Sequence, residues 1–354
     1  MPVNAESYQS AKNILPDEQL QPIAPAISFP LLLSDARLFS AFTFARYRHL
    51  LDSIADHVIA VGVVRAGYPI GLALGTVERG KQKAELHSIA LAPAFRRKGL
   101  GRQLLEAWQA RARAQGGATQ NASYNESLPG RLAFEALLSR AGWSSPQEEG
   151  VVVIGRAGEM AGQASTWRGI AGRLARPGAF SFDPLELRGG DEDAVKRFLA
   201  DPASADMTGP IHHGQHLSKD LSLLIRRKGE LVGWLLATEA HPAFVDTKRR
   251  GSGTPAIRYM EAYLDPAHWN SGIMIAAYYR CYSRQAALLG RDSVAFYYSS
   301  SETRPRMVAL IRRRFAPLAD RIETIFRTSC DFASATSAGE CVPVCSGMPI
   351  RSNV

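Results

Sequence analysis

The chain has only four cysteines among its 354 residues, Cys281, Cys330, Cys341 and Cys345. That excludes the dense disulfide framework of a small secreted protein. No run of about eighteen apolar residues is present, which excludes a helical membrane span. Roughly the first twenty residues carry no apolar core of the kind a signal peptide needs. The expectation from these absences is a cytoplasmic protein with no membrane association. Metal-ligand spacing is missing too: His212, His213 and His216 surround Gly214 without a carboxylate nearby, so no metal is expected. The most glycine-marked turn lacks the Lys-Ser or Lys-Thr of a Walker loop and the glycine spacing of a dinucleotide fingerprint.

That turn is the most informative part of the chain. It runs Leu91-Ala-Pro-Ala-Phe-Arg96-Arg97-Lys98-Gly99-Leu100-Gly101-Arg102. Apolar alternation ending at Ile89 and Leu91 reads as a strand, Pro93 stops it, and the spacing of Leu100, Leu104, Leu105 and Trp108 reads as a helix. A strand, a basic turn and a helix N-terminus together collect unpaired backbone N–H groups, the positive end of a helix dipole and cationic side chains. Such a corner suits a diphosphate.

Strands are expected at His57 to Arg65, Pro69 to Glu78 and Lys83 to Leu91, a helix from Leu100 to about Gln115, and a short strand near Ala118 to Ser123. A helix from Pro129 to Arg140 and a strand at Val151 to Ile154 follow. In this order, with the Arg96 to Gly101 turn in place, residues 24–157 resemble the GCN5-related N-acetyltransferases, the GNAT superfamily. The resemblance implies an α/β mixed sheet splayed between its fourth and fifth strands. It also implies acetyl-CoA or another acyl-CoA in the splay as co-substrate, bound through Ile89, Ala90, Leu91, Arg96, Arg97, Lys98, Gly99, Leu100, Gly101 and Arg102, with Asn121 or Asn125 reaching the pantetheine or the next turn. An amine-bearing small molecule or peptide is the implied acceptor.

Glu85 stands eleven residues before Arg96, where several family members carry their general base. Without a bulge, Glu85, His87, Ile89 and Leu91 share one strand face. His87 is a candidate second base or relay. The tyrosine that many members use as general acid falls at Leu138 here, which leaves Tyr124 as a candidate hydroxyl. The solvated alternative for Glu85 is an ion pair with Lys81 or Lys83.

The second half repeats the first. Leu221 to Thr238 matches the first hairpin, and Ile257 to Met274 can be laid over Ala84 to Gly101. On that register Arg258 replaces Glu85, Trp269 replaces Arg96, Gly272 keeps the place of Gly99 and Met274 replaces Gly101. Ser293 to Ser299 reads as a further strand and Arg304 to Phe315 as a further helix. An arginine cannot accept a proton at neutral pH, so this reads as a degenerate copy. Duplicated folds with one working site occur in the superfamily, as in mycothiol synthases and Fem peptidyltransferases.

The expected organisation is an N-terminal extension (1–22), a GNAT domain with the acyl-CoA site (23–157), a linker (158–180) with a helix near Thr166 to Leu174, a degenerate GNAT-like domain (181–330) and a flexible tail (331–354). An apolar content of 46% agrees with two cores. The net charge of +9 is partly accounted for by a phosphate-bearing donor. The remainder, at Lys248 to Arg250 and from Arg304 to Arg314, leaves open an acyl carrier protein or a transfer RNA as donor, although nucleic acid is not the expected partner. A non-catalytic acyl-CoA sensor is the other alternative.

Overall fold

Strand β12 (Arg321–Asp331), near the end of the chain, lies between β5 (Thr119–Asn125) and β6 (Gln147–Arg156). The computed structural model describes residues 27–32, 35–162, 165–174, 179–201, 204, 207–212, 217–239 and 256–332. The other strands of the first half are β1 (Ile27–Ser28), β2 (Val58–Arg65), β3 (Tyr68–Glu78) and β4 (Lys83–Leu91). Those of the second are β7 (Ser181–Pro184), β8 (Leu223–Arg227), β9 (Glu230–Glu239), β10 (Ala256–Leu264) and β11 (Val294–Ser300). All twelve form one mixed sheet in the order β1-β2-β3-β4-β5-β12-β6-β11-β10-β9-β8-β7.

The halves therefore interlock at the centre. On one edge β12 pairs antiparallel with β5, from Ile325 against Asn125 to Asp331 against Thr119. On its other edge it pairs with β6, from Arg321 against Ile154 to Arg327 against Gln147. β6 in turn pairs with β11 of the second half. β12 thus completes the facing edges of β5 and β6, and its removal would expose a long unpaired edge on each.

The internal repeat is visible in the backbone. The hairpin residues Ala66 and Gly67 have φ of 51° and 80°, and Lys228 and Gly229 have 51° and 89°. Arg97 and Asn270 share positive φ, at 63° and 65°, and so do Gly99 and Gly272, at 79° and 86°. Helices α1 (Leu100–Ala114) and α7 (Ile273–Leu289) begin at matching places after 3-10 turns at Pro93–Phe95 and Pro266–His268.

Apolar spacing on α1 builds the first core: Leu104, Leu105, Trp108 and Ala112 are fully buried against β2, β3 and β4, with Leu138 of α2 (Arg131–Arg140) at its margin. The second core is richer in aromatics. Tyr259, Tyr278, Tyr282 and Tyr297 pack with Phe315 and with Trp167 of α4 (Ser165–Leu174), which follows α3 (Ala157–Gly162). On the opposite face, Arg226 is 2% exposed and grips Asp191 of α5 (Asp191–Leu199) through two bonds of 2.7 and 2.6 Å. Buried charges persist only when paired in this way. A short α6 (Gly209–His212) follows. The helix expected over Arg304 to Phe315 is divided: α8 (Pro305–Leu310) passes into a π turn at Ile311–Phe315. His213, His216, Lys248 to Arg250, Cys341, Cys345, the extension before Ile27 and the tail after Phe332 lie outside the described residues.

Candidate active site

β4 pairs with β5 only from Lys83 to Glu85, against Thr119 to Asn121, and the two parallel strands then separate. On the paired edge of β4 the Ala92 amide bonds back to Ile70 O of β3 at 2.8 Å. By strand alternation the amides of Ile89 and Leu91 face the opening, while that of Ala90 faces β3.

At the end of the opening the chain turns into α1. The Arg96 amide bonds Pro93 O at 3.2 Å and the Arg102 amide bonds Gly99 O at 3.1 Å. Between them, the amides of Arg97, Lys98, Gly99, Leu100 and Gly101 meet no acceptor among the described residues. They form a concave set of donors at the positive end of a fifteen-residue helix. Gly99 is required by its φ of 79°. Gly101 is not required by packing: a Cβ there would come no nearer than 3.8 Å to Leu91 and 3.9 Å to Leu137. Glycine at that place leaves the space between Leu91 and Leu137, beside the turn, unfilled.

The cations of the turn divide. Arg96 folds inward, its Nε donating to Leu91 O at 2.9 Å, and Arg102 reaches Glu106 at 2.7 Å. Lys98 Nζ lies 5.8 Å from the Phe95 ring. The backbone forms the cradle, with Arg97 and Lys98 on its rim.

β4 carries a bulge. Leu74 of β3 faces Ser88 and Gly75 faces Leu86, so His87 is the inserted residue. Ala84 and Leu86, before it, pack on the α1 core, and so do Ile89 and Leu91 after it. Ser88 Oγ reaches Thr43 Oγ1 on the other face at 2.7 Å. The expectation that Glu85, His87, Ile89 and Leu91 share a face is thereby corrected. An inserted residue inverts the alternation. Glu85 and His87 lie on the face away from α1, whereas Ile89 and Leu91 lie toward it.

On that outer face Glu85 is hydrogen-bonded by Ser123 of β5 and stands near Arg327 of β12 and Glu149 of β6. Burial raises its pKa above the usual carboxylate value; Arg327 and the Ser123 bonds oppose the rise. Arg327 is itself fixed, with Nη2 2.9 Å from Glu149 Oε1 and Nε 3.4 Å from Ser123 Oγ. Lys81 pairs with Glu78 at 2.8 Å instead of Glu85.

His87 stacks on Tyr47 of the 3-10 segment Ala45–Leu51, with ring centroids 4.5 Å apart, and its Nε2 lies 3.0 Å from Thr76 Oγ1. Burial, reinforced by Arg46 and His49, pushes its pKa down to about 4. It is neutral at physiological pH.

Tyr124 points to the opposite face of β5, among Phe134 and Phe326, and its hydroxyl donates to Glu135 at 2.9 Å. Burial and Glu135 hold that phenol well above its ordinary pKa. Asn125 Nδ2 donates to Glu323 of β12. The structure thus brings Glu85 and His87 together and separates them from Tyr124. Arg46, Tyr47, Ser123 and Arg327 were not singled out by sequence. Ser123 sits two places from Glu85's partner Asn121, so pairing β4 with β5 could have found it; Arg327 depends on where β12 inserts.

In the second half the cradle is altered at each point. Trp269 Nε1 donates to Leu264 O at 2.9 Å, the counterpart of the Arg96 bond, with Arg306 stacked 4.3 Å from its ring. A Cβ on Gly272 would meet Ile170 of α4 at 3.0 Å, so α4 covers the turn. The bulge recurs at Met260 in the place of His87, and Arg258, in the place of Glu85, is exposed. Among the described residues no group of His, Cys, Asp and Glu could hold a metal ion, and no helix is long and apolar enough to cross a membrane.

Residues 31–143 match the model of the acetyltransferase (GNAT) family. The first half carries a GNAT acetyltransferase domain. No curated protein sequence matches the chain. Among solved structures, a tandem GNAT protein from the clavulanic acid biosynthesis pathway is similar over 86% of this chain and 98% of its own, with 14% identity and a TM-score of 0.54. A GCN5-related glucosamine N-acetyltransferase region of a fungal multi-domain GH3 β-N-acetylglucosaminidase covers 86% of this chain and 38% of that one, at 12% identity and a TM-score of 0.57. A GCN5-related N-acetyltransferase from Sphaerobacter thermophilus covers 86% and 96%, at 16% identity and a TM-score of 0.50. At these identities the likeness is one of fold, and it is a tandem GNAT fold. The GNAT domain makes the chain an acyltransferase.

Proposed function

We propose that the chain transfers an acyl group, acetyl in the first instance, from acyl-CoA to a primary amine, with the donor held by the first half alone. The observation that carries this reading is the set of unpaired amides from Arg97 to Gly101, beside space that Gly101 leaves unfilled and continuous with the separated edge of β4. Diphosphate oxygens suit those amides, with Arg97 and Lys98 adding charge at the rim. The amides of Ile89 and Leu91 suit the pantetheine and the thioester carbonyl, whose oxygen gains charge as the amine nitrogen attacks.

Glu85 is the assigned base. An amine arrives as an ammonium and must lose a proton before it can attack. A carboxylate whose pKa is raised by burial takes that proton better than an exposed one, directly or through a water. The N–C bond then forms, the C–S bond breaks, and the thiol and the proton leave to solvent. His87, neutral and held by Thr76 and Tyr47, shapes the wall beside Glu85. Tyr124, bonded to Glu135 on the other face, is not assigned the protonation of the leaving thiolate. Asn125, committed to Glu323, helps join β5 to β12.

Calorimetric titration with acetyl-CoA, followed by thiol release on addition of an amine panel, tests the reading. Binding plus amine-dependent thiol release supports it. Binding without turnover on any amine supports the sensor instead, and no binding removes both.

A further inference from the structure

The segment Ala45–Leu51 forms the wall above Glu85 and His87. Its charged side chains differ in how they are satisfied. Arg48 Nε donates to Ser40 O at 3.2 Å, and nearby Arg37 pairs with Asp52 at 2.9 Å. Arg46 has no carboxylate partner among the described residues. Its guanidinium lies 4.7 Å from the Tyr47 ring and 5.7 Å from the Phe44 ring, and its Nε is buried with no hydrogen-bond partner.

A guanidinium is charged at every accessible pH and offers a planar fork that fits a carboxylate. Ring stacking satisfies its face and the Tyr47 hydroxyl accepts one of its bonds, but the Nε remains a buried donor without an acceptor, a defect that an anion repairs. Arg46 also opposes protonation of His87, with a smaller contribution from His49. On the far side of Glu85 stands Arg327. Arg327 is already paired with Glu149, so Arg46 is the cation beside Glu85 that no carboxylate among the described residues answers, and an amine that also carries a negative group brings the charge it lacks.

We infer that the acyl acceptor is an amino acid, an amine bearing a carboxylate, and that Arg46 receives the carboxylate while the amine faces Glu85. This rests on the acyltransferase reading above. Arg46 sets specificity and takes no part in bond making. The step remains N-acylation, with the carboxylate unchanged.

The test measures acetyl-CoA-dependent thiol release with the protein amino acids, β-alanine and 4-aminobutyrate, each against its own primary carboxamide. The expected result is a kcat/KM at least about tenfold higher for an acid than for its amide. Arg46→Gln should lower kcat/KM for that acid by about 10–100-fold, mainly through KM, and leave the amide unchanged; Arg46→Lys should restore part of the preference. A loss shared equally by acid and amide would show that Arg46 only supports the wall and would overturn the inference. So would an amide that matches its acid in the native chain, or acetyl-CoA binding with no acid acylated while other amines are. Failure to bind acetyl-CoA at all would instead bring down the donor assignment, and this inference with it.

Discussion

Arg96 and Trp269 make the same bond in the two halves: each donates a side-chain N–H at 2.9 Å to the last carbonyl of its strand, Leu91 O and Leu264 O. The guanidinium of Arg96 has further donors to spare beside the turn, whereas the indole has spent its single one. Replacement of Trp269 by arginine is therefore not expected to create a second donor site, because Ile170 still lies over Gly272 and Met274 still fills the place of Gly101. Acetyl-CoA stoichiometry of the Trp269→Arg protein should match that of the native chain.

Glu85→Gln should leave acetyl-CoA affinity unchanged and lower kcat by about 10²–10⁴-fold, the usual range for loss of a general base. Single-turnover thiol release, measured beside calorimetry on the same sample, separates the two quantities.

The raised pKa of Glu85 fixes the sign of the pH profile. The base works ionised, so kcat/KM should fall as pH drops through a value above the ordinary carboxylate range. Arg327 lowers that pKa, hence Arg327→Gln should move the acid limb to higher pH. His87 titrates at about 4, and His87→Gln should not remove a limb near neutrality. Rate profiles from pH 5 to 9 distinguish the three proteins.

Asp191 and Arg226 should govern the stability of the second half. Asp191→Asn leaves a guanidinium that is 2% exposed with Asp183 at 3.1 Å but without its bidentate partner, a loss of about 1.5–3 kcal/mol, the range of a hydrogen bond to a charged group. Arg226 holds the Asp191 pKa below its ordinary value, so the pair's contribution is complete above the ordinary carboxylate range and declines as pH falls through the folded-state value. Urea melts at pH 7 and pH 3.5 should show a smaller difference between native and Asp191→Asn protein at the lower pH.

The strand arrangement predicts that neither half folds alone. A chain ending at Asp320 lacks β12 and leaves one edge of β5 and one edge of β6 unpaired, and residues 23–157 alone lack it as well. Both fragments should lack a cooperative thermal transition, and adding a synthetic peptide of residues 321–332 to the first should restore part of it.

Local chemistry was what the sequence could reveal. Pro93, Gly99 and the apolar period of Leu100, Leu104, Leu105 and Trp108 announce the turn and α1 because stopping a strand and starting a helix are decided by neighbouring residues. The repeat was legible for the same reason, since Gly272 and the Asp265-Pro266 stop leave the same marks. The bulge at His87 left only a change of phase, from Ala84 and Leu86 to Ile89 and Leu91 with polar Ser88 between them, and the inserted residue is identified only against β3. The place of β12 was hidden too: nothing in Arg321–Asp331 states that its partners lie near residues 120 and 150. Arg327 beside Glu85 follows from that pairing and was hidden with it.

The most direct measurement is acetyl-CoA titration of the full chain and of Gly101→Glu, with circular dichroism to show that both are folded. The account predicts one molecule bound per native chain and no detectable binding to Gly101→Glu, since a carboxylate would then stand beside the Arg97 to Gly101 amides. Two molecules per chain, or native affinity in the variant, would contradict it.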